Sequence, residues 1–136
     1  MNWQIVLFGS AKDRDVTRQI RGLCEDSEDC IDLAGRTELA EAVDILSLAN
    51  AVLSNDSGLM HIASALQRPV LVIYGATSPS FTPPLSQNSD TVVPTIDCAP
   101  CFARECPLGH HRCMRDTSPE QVITRFEALL ARGRVQ

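Results

Sequence analysis

The chain has 136 residues, 44% of them apolar and 21% charged, which suits a single globular domain. Twelve Lys and Arg against 17 Asp and Glu leave a net charge of −5, so the basic surplus of a general nucleic-acid binder is missing. No apolar run approaches the ~20 residues of a membrane helix, and the N-terminus lacks the basic region of a secretory signal.

Aromatics are only 4%, so the core is expected to be aliphatic. Gln4 to Phe8 reads as a short buried strand that stops at Gly9-Ser10. From Lys12 to Leu23 the period turns helical, with Val16, Ile20 and Leu23 on one face. Residues 30–34 form a second strand ending at Gly35. Thr37 is the expected N-cap of a helix that runs to about Leu48, with Glu38 and Glu41 in its first turn. Residues 51–54 make a third strand, closed by Asn55-Asp56-Ser57-Gly58, and a helix spans 59–66. Val70 to Tyr74 is the strongest strand pattern, apolar and mostly β-branched. The Pro- and Ser-rich residues 77–89 must be loop, and 91–93 can add a short strand. The last helix begins with Ser118 as N-cap and Pro119 at the first helical position. Val122, Ile123, Phe126, Leu129 and Leu130 are its expected core face.

Uniformly apolar strands alternating with helices indicate a doubly wound parallel α/β sheet, in which ligands bind at the carboxyl ends of the strands. The four exits at 9–13, 35–37, 55–58 and 75–80 are therefore expected on one edge. Among them Asn55 to His61 carries the clearest chemistry. A helix start at Gly58 would aim the backbone N–H groups of Ser57, Gly58 and Leu59 at an anion such as a diphosphate. His61, one turn on, could add a donor, and Asp56 could accept from sugar hydroxyls. The competing reading, that Asp56 or Ser57 merely caps the helix and His61 is a surface residue, stays open on these residues alone.

Asp56-Ser57-Gly58-Leu59-Met60-His61-Ile62-Ala63, then Arg68-Pro69-Val70 and Tyr74-Gly75-Ala76-Thr77-Ser78-Pro79, resemble glycosyltransferase family 9, the ADP-heptose:lipopolysaccharide heptosyltransferases. Leu33 to Thr37 and Phe81 to Ser86 resemble the heptosyltransferase II branch most, and Leu7 to Asp13 also fits. The resemblance implies a Rossmann-like C-terminal half of a GT-B enzyme, the half that holds the nucleotide sugar. It implies that Asp56 binds heptose hydroxyls, that Ser57 and Gly58 bind the diphosphate, and that His61 lies beside it. It places Thr37 at the adenine and Ser10 to Asp13 at the ribose. The acceptor would be the lipopolysaccharide inner core, the location cytoplasmic at the inner face of the bacterial inner membrane, and no cofactor is implied. The family's acidic catalytic base belongs to its N-terminal domain. The first strand of the C-terminal domain and its lysine loop would precede Met1. The chain is thus expected to be a truncated, donor-binding portion, inactive alone, either a fragmentary reading frame or one part of a split gene whose partner is a separate N-terminal half.

Four of the six cysteines, Cys98, Cys101, Cys106 and Cys113, fall within sixteen residues, near His110 and His111. These are zinc-type ligands, but the second pair is six residues apart, and unligated thiols are preferred over structural zinc. No DxD-type metal motif occurs, so no catalytic metal is expected. The rival readings are a non-catalytic nucleotide-binding or flavodoxin-like module, and a zinc-stapled interaction domain. The first would carry a complete sheet of its own.

Overall fold

The short β-branched runs become strands, and the computed structural model pairs every one of them in parallel. It describes residues 3–24 and 28–133. The chain divides into two compact units, Met1–Ile45 and Leu46–Gln136. Among the described residues no helix is long and apolar enough to cross a membrane.

In the first unit β1 (Ile5–Leu7) pairs with β2 (Cys30–Asp32). A 3-10 turn at Ala11–Asp13 leads into α1 (Arg14–Gly22). The exits of the two strands are joined where the Gly35 N–H donates to Gly9 O at 2.8 Å. Gly35 has φ +63°, and a Cβ there would lie 2.7 Å from the Ala11 Cα, so both conformation and space demand glycine. The expected apolar face of α1 is not the buried one. Val16 and Ile20 are exposed, as is Leu23, whereas Thr17 retains only 5% exposure. Thr17 is drawn in by chemistry, because its Oγ1 donates to Asp32 Oδ2 at 3.0 Å. A two-stranded ladder is also too narrow to cover the apolar stripe as well.

Helix α2 (Leu39–Leu48) starts one residue later than Thr37 would dictate as a cap. Glu38 takes the N-cap place, its carbonyl accepting from Ala42 N and its own N–H donating to Glu41 Oε2 at 2.8 Å. This is the return half of a capping box, and it leaves the Thr37 side chain free of the capping role. Ala42 and Leu46 are buried.

The second unit holds a three-stranded ladder ordered β3 (Val52–Asn55), β4 (Val70–Ile73), β5 (Ser89–Val92). Helix α3 (Gly58–Ala65) follows β3. The central β4 buries Val70, Leu71 and Val72 completely. Each such side chain contributes about 1.5–3 kcal/mol by leaving water. Leu71 and Val92 pack with Leu129 of α5 (Pro119–Gly133), flanked by Ile73, Val122 and Phe126. Ser118 caps α5 as expected, its Oγ accepting from Gln121 N at 3.2 Å. Ile123, expected in the core face, is 56% exposed; the buried stripe follows the 122–126–129 spacing and Ile123 falls outside it. Arg125 and Arg132 of α5 both reach Asp90 on β5, at 3.3 and 2.8 Å. Burial alone would raise the Asp90 carboxyl, but the Thr91 N–H and these two guanidiniums outweigh it and hold it below the usual range.

Candidate functional site

Strand β3 delivers Asn55, Asp56 and Ser57 to the start of α3 at the carboxyl edge of the ladder. Ser57 is the N-cap in extended conformation, yet no side chain caps the helix. Its Oγ sits 3.2 Å from Ser54 Oγ instead. The capping reading of Asp56 and Ser57 therefore fails. The first-turn N–H groups keep the positive end of the helix dipole and no side-chain acceptor. A Cβ at Gly58 would meet nothing within 4 Å, so the space before these donors is open. His61 is exposed on the same helix.

Asp56 is held from one side. Thr82 Oγ1 donates to its Oδ2 at 2.7 Å, and the Tyr74 hydroxyl donates to Thr82 O at 2.5 Å. Tyr74 is completely buried. Burial, and then the nearby Asp56 charge, push its phenol above the ordinary value. The phenol therefore stays a donor at neutral pH. Thr82 and Tyr74 were not singled out from sequence. Tyr74 looked like the end of a strand, and Thr82 lies 26 residues from Asp56 inside a loop.

Asp56 borders a cavity of about 350 Å3 within the second unit. Gly75, Cys98, Cys106, His110 and Met114 also line it. The exit of β4 and the cysteine segment are tied by Phe102 N donating to Ala76 O at 2.8 Å, and by edge-on packing of Phe81 against Phe102. A short helix, α4 (Arg112–Arg115), brings Met114 so close that a Cβ at Gly75 would lie 2.7 Å from its Sδ. A side chain at the β4 exit would have to displace the Met114 thioether.

The cysteines are free thiols. Cys98, Cys101, Cys106 and Cys113 all border the cavity, and Cys98 Sγ stands 4.0 Å from His110 Nε2. Among the described residues no group of three or more Cys, His, Asp or Glu side chains is placed to hold one metal ion. Cys106 has its thiol lowered chiefly by the His111 N–H, with Leu108, His110 and Gly109 N–H groups adding to it.

The remaining expected residues lie in the first unit. Ser10 and Asp13 satisfy one another: the Ser10 N–H and Oγ–H both donate to Asp13 Oδ2 at 2.7 Å, and Ser10 Oγ accepts from Lys12 N. The Ser10 hydroxyl, then its N–H, hold the Asp13 carboxyl low. Thr37 is half-buried beyond Gly35. Within each unit, the strand exits share one edge: 9–13 with 35–37, and 55–58 with 75–80.

The chain is 46% identical over 133 residues to a lipooligosaccharide heptosyltransferase 2 of Haemophilus ducreyi, covering 93% of the chain and 38% of that protein. It is 38% identical to a lipopolysaccharide heptosyltransferase 2 of Escherichia coli K12, covering 94% of the chain and 37% of the relative. The solved structure of E. coli ADP-heptose LPS heptosyltransferase II superposes with a TM-score of 0.80 at 37% identity, over 96% of the chain and 37% of that structure. A glycosyl transferase family 9 structure from Veillonella parvula, at 24% identity and TM-score 0.78, shares the fold. The chain spans less than two-fifths of the length of these curated relatives. Residues 1–112 match the family described as glycosyltransferase family 9 (heptosyltransferase), and the chain belongs to that family.

Proposed function

We propose that the chain is the donor-binding portion of a heptosyltransferase that moves heptose from ADP-heptose to a sugar hydroxyl of the lipopolysaccharide inner core. The observation that carries this reading is the uncapped start of α3 beside a fixed Asp56 carboxylate at the mouth of a cavity. Backbone N–H groups of Ser57, Gly58 and Leu59 take the diphosphate, as the leaving group of the transfer requires. His61 adds a donor beside it. Asp56, aimed by Thr82, accepts from heptose hydroxyls. Thr37, Ser10 and Asp13 serve the nucleoside end.

The general base that deprotonates the acceptor hydroxyl, and the lysine that assists the diphosphate, come from the remainder of a longer protein or from a separate N-terminal half. The first strand of the doubly wound domain is also assigned there. The protein works on the cytoplasmic side, where ADP-heptose is available, next to the membrane that carries the acceptor. Coverage of under two-fifths of the relatives supports a portion that does not turn over alone.

Calorimetric titration of the chain with ADP and UDP, and competition by ADP-heptose, test the donor assignment. ADP is expected to bind more tightly than UDP, and equal affinities would overturn the assignment. Transfer to a deep-core lipopolysaccharide acceptor is expected only when the chain is fused to a family N-terminal portion. Turnover by the isolated chain would refute the division of labour.

A further inference from the structure

A second concave surface lies entirely in the first unit, lined by none of the residues given a role above although Arg14 and Arg36 adjoin Asp13 and Thr37 in the chain. It is a cleft of about 230 Å3, lined by Arg14, Arg18, Arg21 and Arg36 together with Asp32 and Ala34. Three of the arginines lie on α1 at spacings of four and three, so one helix face carries all three guanidiniums. Arg36 joins them from the turn after β2. In a chain with a net charge of −5, this gathers four cations against one lining carboxylate.

The individual bonds show which donors the fold has already used. Arg14 donates through Nε to Ala34 O at 3.2 Å and through Nη2 to Gly35 O at 2.7 Å, so it is part of the wall. Arg18 touches Asp15 at 3.4 Å in a pair exposed to solvent, a contact worth little. Asp32 is occupied: Oδ2 accepts from Thr17 Oγ1 and Oδ1 from Ala34 N, each at 3.0 Å. Among the described residues no hydrogen bond or ion pair engages the guanidinium of Arg21 or of Arg36, although both charges help to hold the Asp32 carboxyl low. Both residues line the cleft, where four guanidiniums stand against one carboxylate, so an anion would offset the cationic excess.

We propose that this cleft is a binding site for a phosphate group, a phosphomonoester or diphosphate, gripped by Arg21 and Arg36 and flanked by Arg18. Planar forks with paired N–H donors match the spacing of phosphate oxygens. The concave volume admits such a group. The site does not depend on the donor-binding reading, since none of its residues serves the start of α3.

The test is amide-resolved NMR titration of the 136-residue chain with pyrophosphate at low salt. Saturable shifts are expected at 14–21 and 32–36. Pairing Arg21→Gln with Arg36→Gln should weaken them about tenfold or more, because both charge-assisted forks are lost. Arg115→Gln, which makes the same charge change singly and elsewhere, should leave them unchanged. The side chains of Arg21 and Arg36 make no described hydrogen bond, and their backbone bonds survive the substitution, so the paired variant is expected to fold. Shifts confined to 57–60 would overturn this site while supporting the α3 site, so the two readings fail separately. Sedimentation with phosphatidylglycerol vesicles, against phosphatidylcholine vesicles, distinguishes the source. Co-sedimentation lost in the paired variant assigns a lipid headgroup, and pyrophosphate shifts without co-sedimentation assign a soluble phosphate ester. Neither response, or responses indifferent to the paired variant, would refute the proposal.

Discussion

The helix starts after β1 and after β3, one in each unit, solve the same problem in opposite ways. After β1, Ser10 and Asp13 close a reciprocal capping box, so the first-turn donors are consumed by the chain itself. After β3, Ser57 turns its hydroxyl toward Ser54, and the start of α3 has no side-chain cap. The packing beneath them differs too. Under α3 and α5 lies a three-stranded ladder with a wholly buried centre, whereas α1 rests on two strands and leaves its apolar stripe in water. An uncapped helix end costs stability, and it is found on the better-packed unit, where burial can offset it. Open donors therefore mark the site more clearly than the presence of a serine before a helix does.

The largest expected effect tests the difference in packing. Leu71→Ala should destabilise the protein by about 2–5 kcal/mol in urea unfolding, since it empties the contact with Val92 and Leu129. Ile20→Ala on the exposed stripe of α1 should cost under about 1 kcal/mol. Equal losses would mean that the two units are packed alike.

Next comes the open helix start. Gly58→Val has room for its side chain, so the fold should survive while ADP affinity falls about tenfold or more by calorimetry, because close approach to the backbone donors is blocked. Ser10→Ala, at the closed start, should lower stability by about 1 kcal/mol. A variant at Gly58 that binds ADP normally would remove α3 as the diphosphate platform.

A smaller effect is expected from Thr82→Val, which deletes the donor to Asp56 and should weaken ADP-heptose binding by about tenfold, the worth of one hydrogen bond to a charged group. Thr82→Ser should restore most of it. ADP itself, lacking the heptose, should bind both variants as it binds the parent.

The smallest effect is the acid response of the closed start. The folded-state carboxyl of Asp13 is held below its unfolded value by Ser10, so its contribution is present above a pH of about 3.9 and fades as pH falls through the lower folded value. Asp13→Asn should therefore cost stability near pH 6, and the gap from the parent should narrow toward about pH 3. A gap that widens in acid would contradict the sign.

The sequence by itself determined the order and type of the main elements. Apolar runs and the 3.6 period are local, and Val70 to Tyr74 or the existence of α5 declare themselves without knowledge of partners. It also marked Asn55 to His61, because Gly58 at a helix start after an apolar strand is a local signal, and the family resemblance rests on the same contiguous motifs. Only the tertiary structure decided which faces are buried and which donors are spent. Thr17 is buried in place of Val16 because Asp32, fifteen residues away in the chain, accepts its hydroxyl. Asp56 gains its orientation from Thr82 and Tyr74, which reach it through a Pro-rich loop of no regular pattern. Arg14, Arg18 and Arg21 share a face of α1 by local spacing, but only the fold of the turn after β2 sets Arg36 in the same cleft. Each of these rests on a contact between residues distant in sequence, and periodicity carries no information about the partner across such a gap.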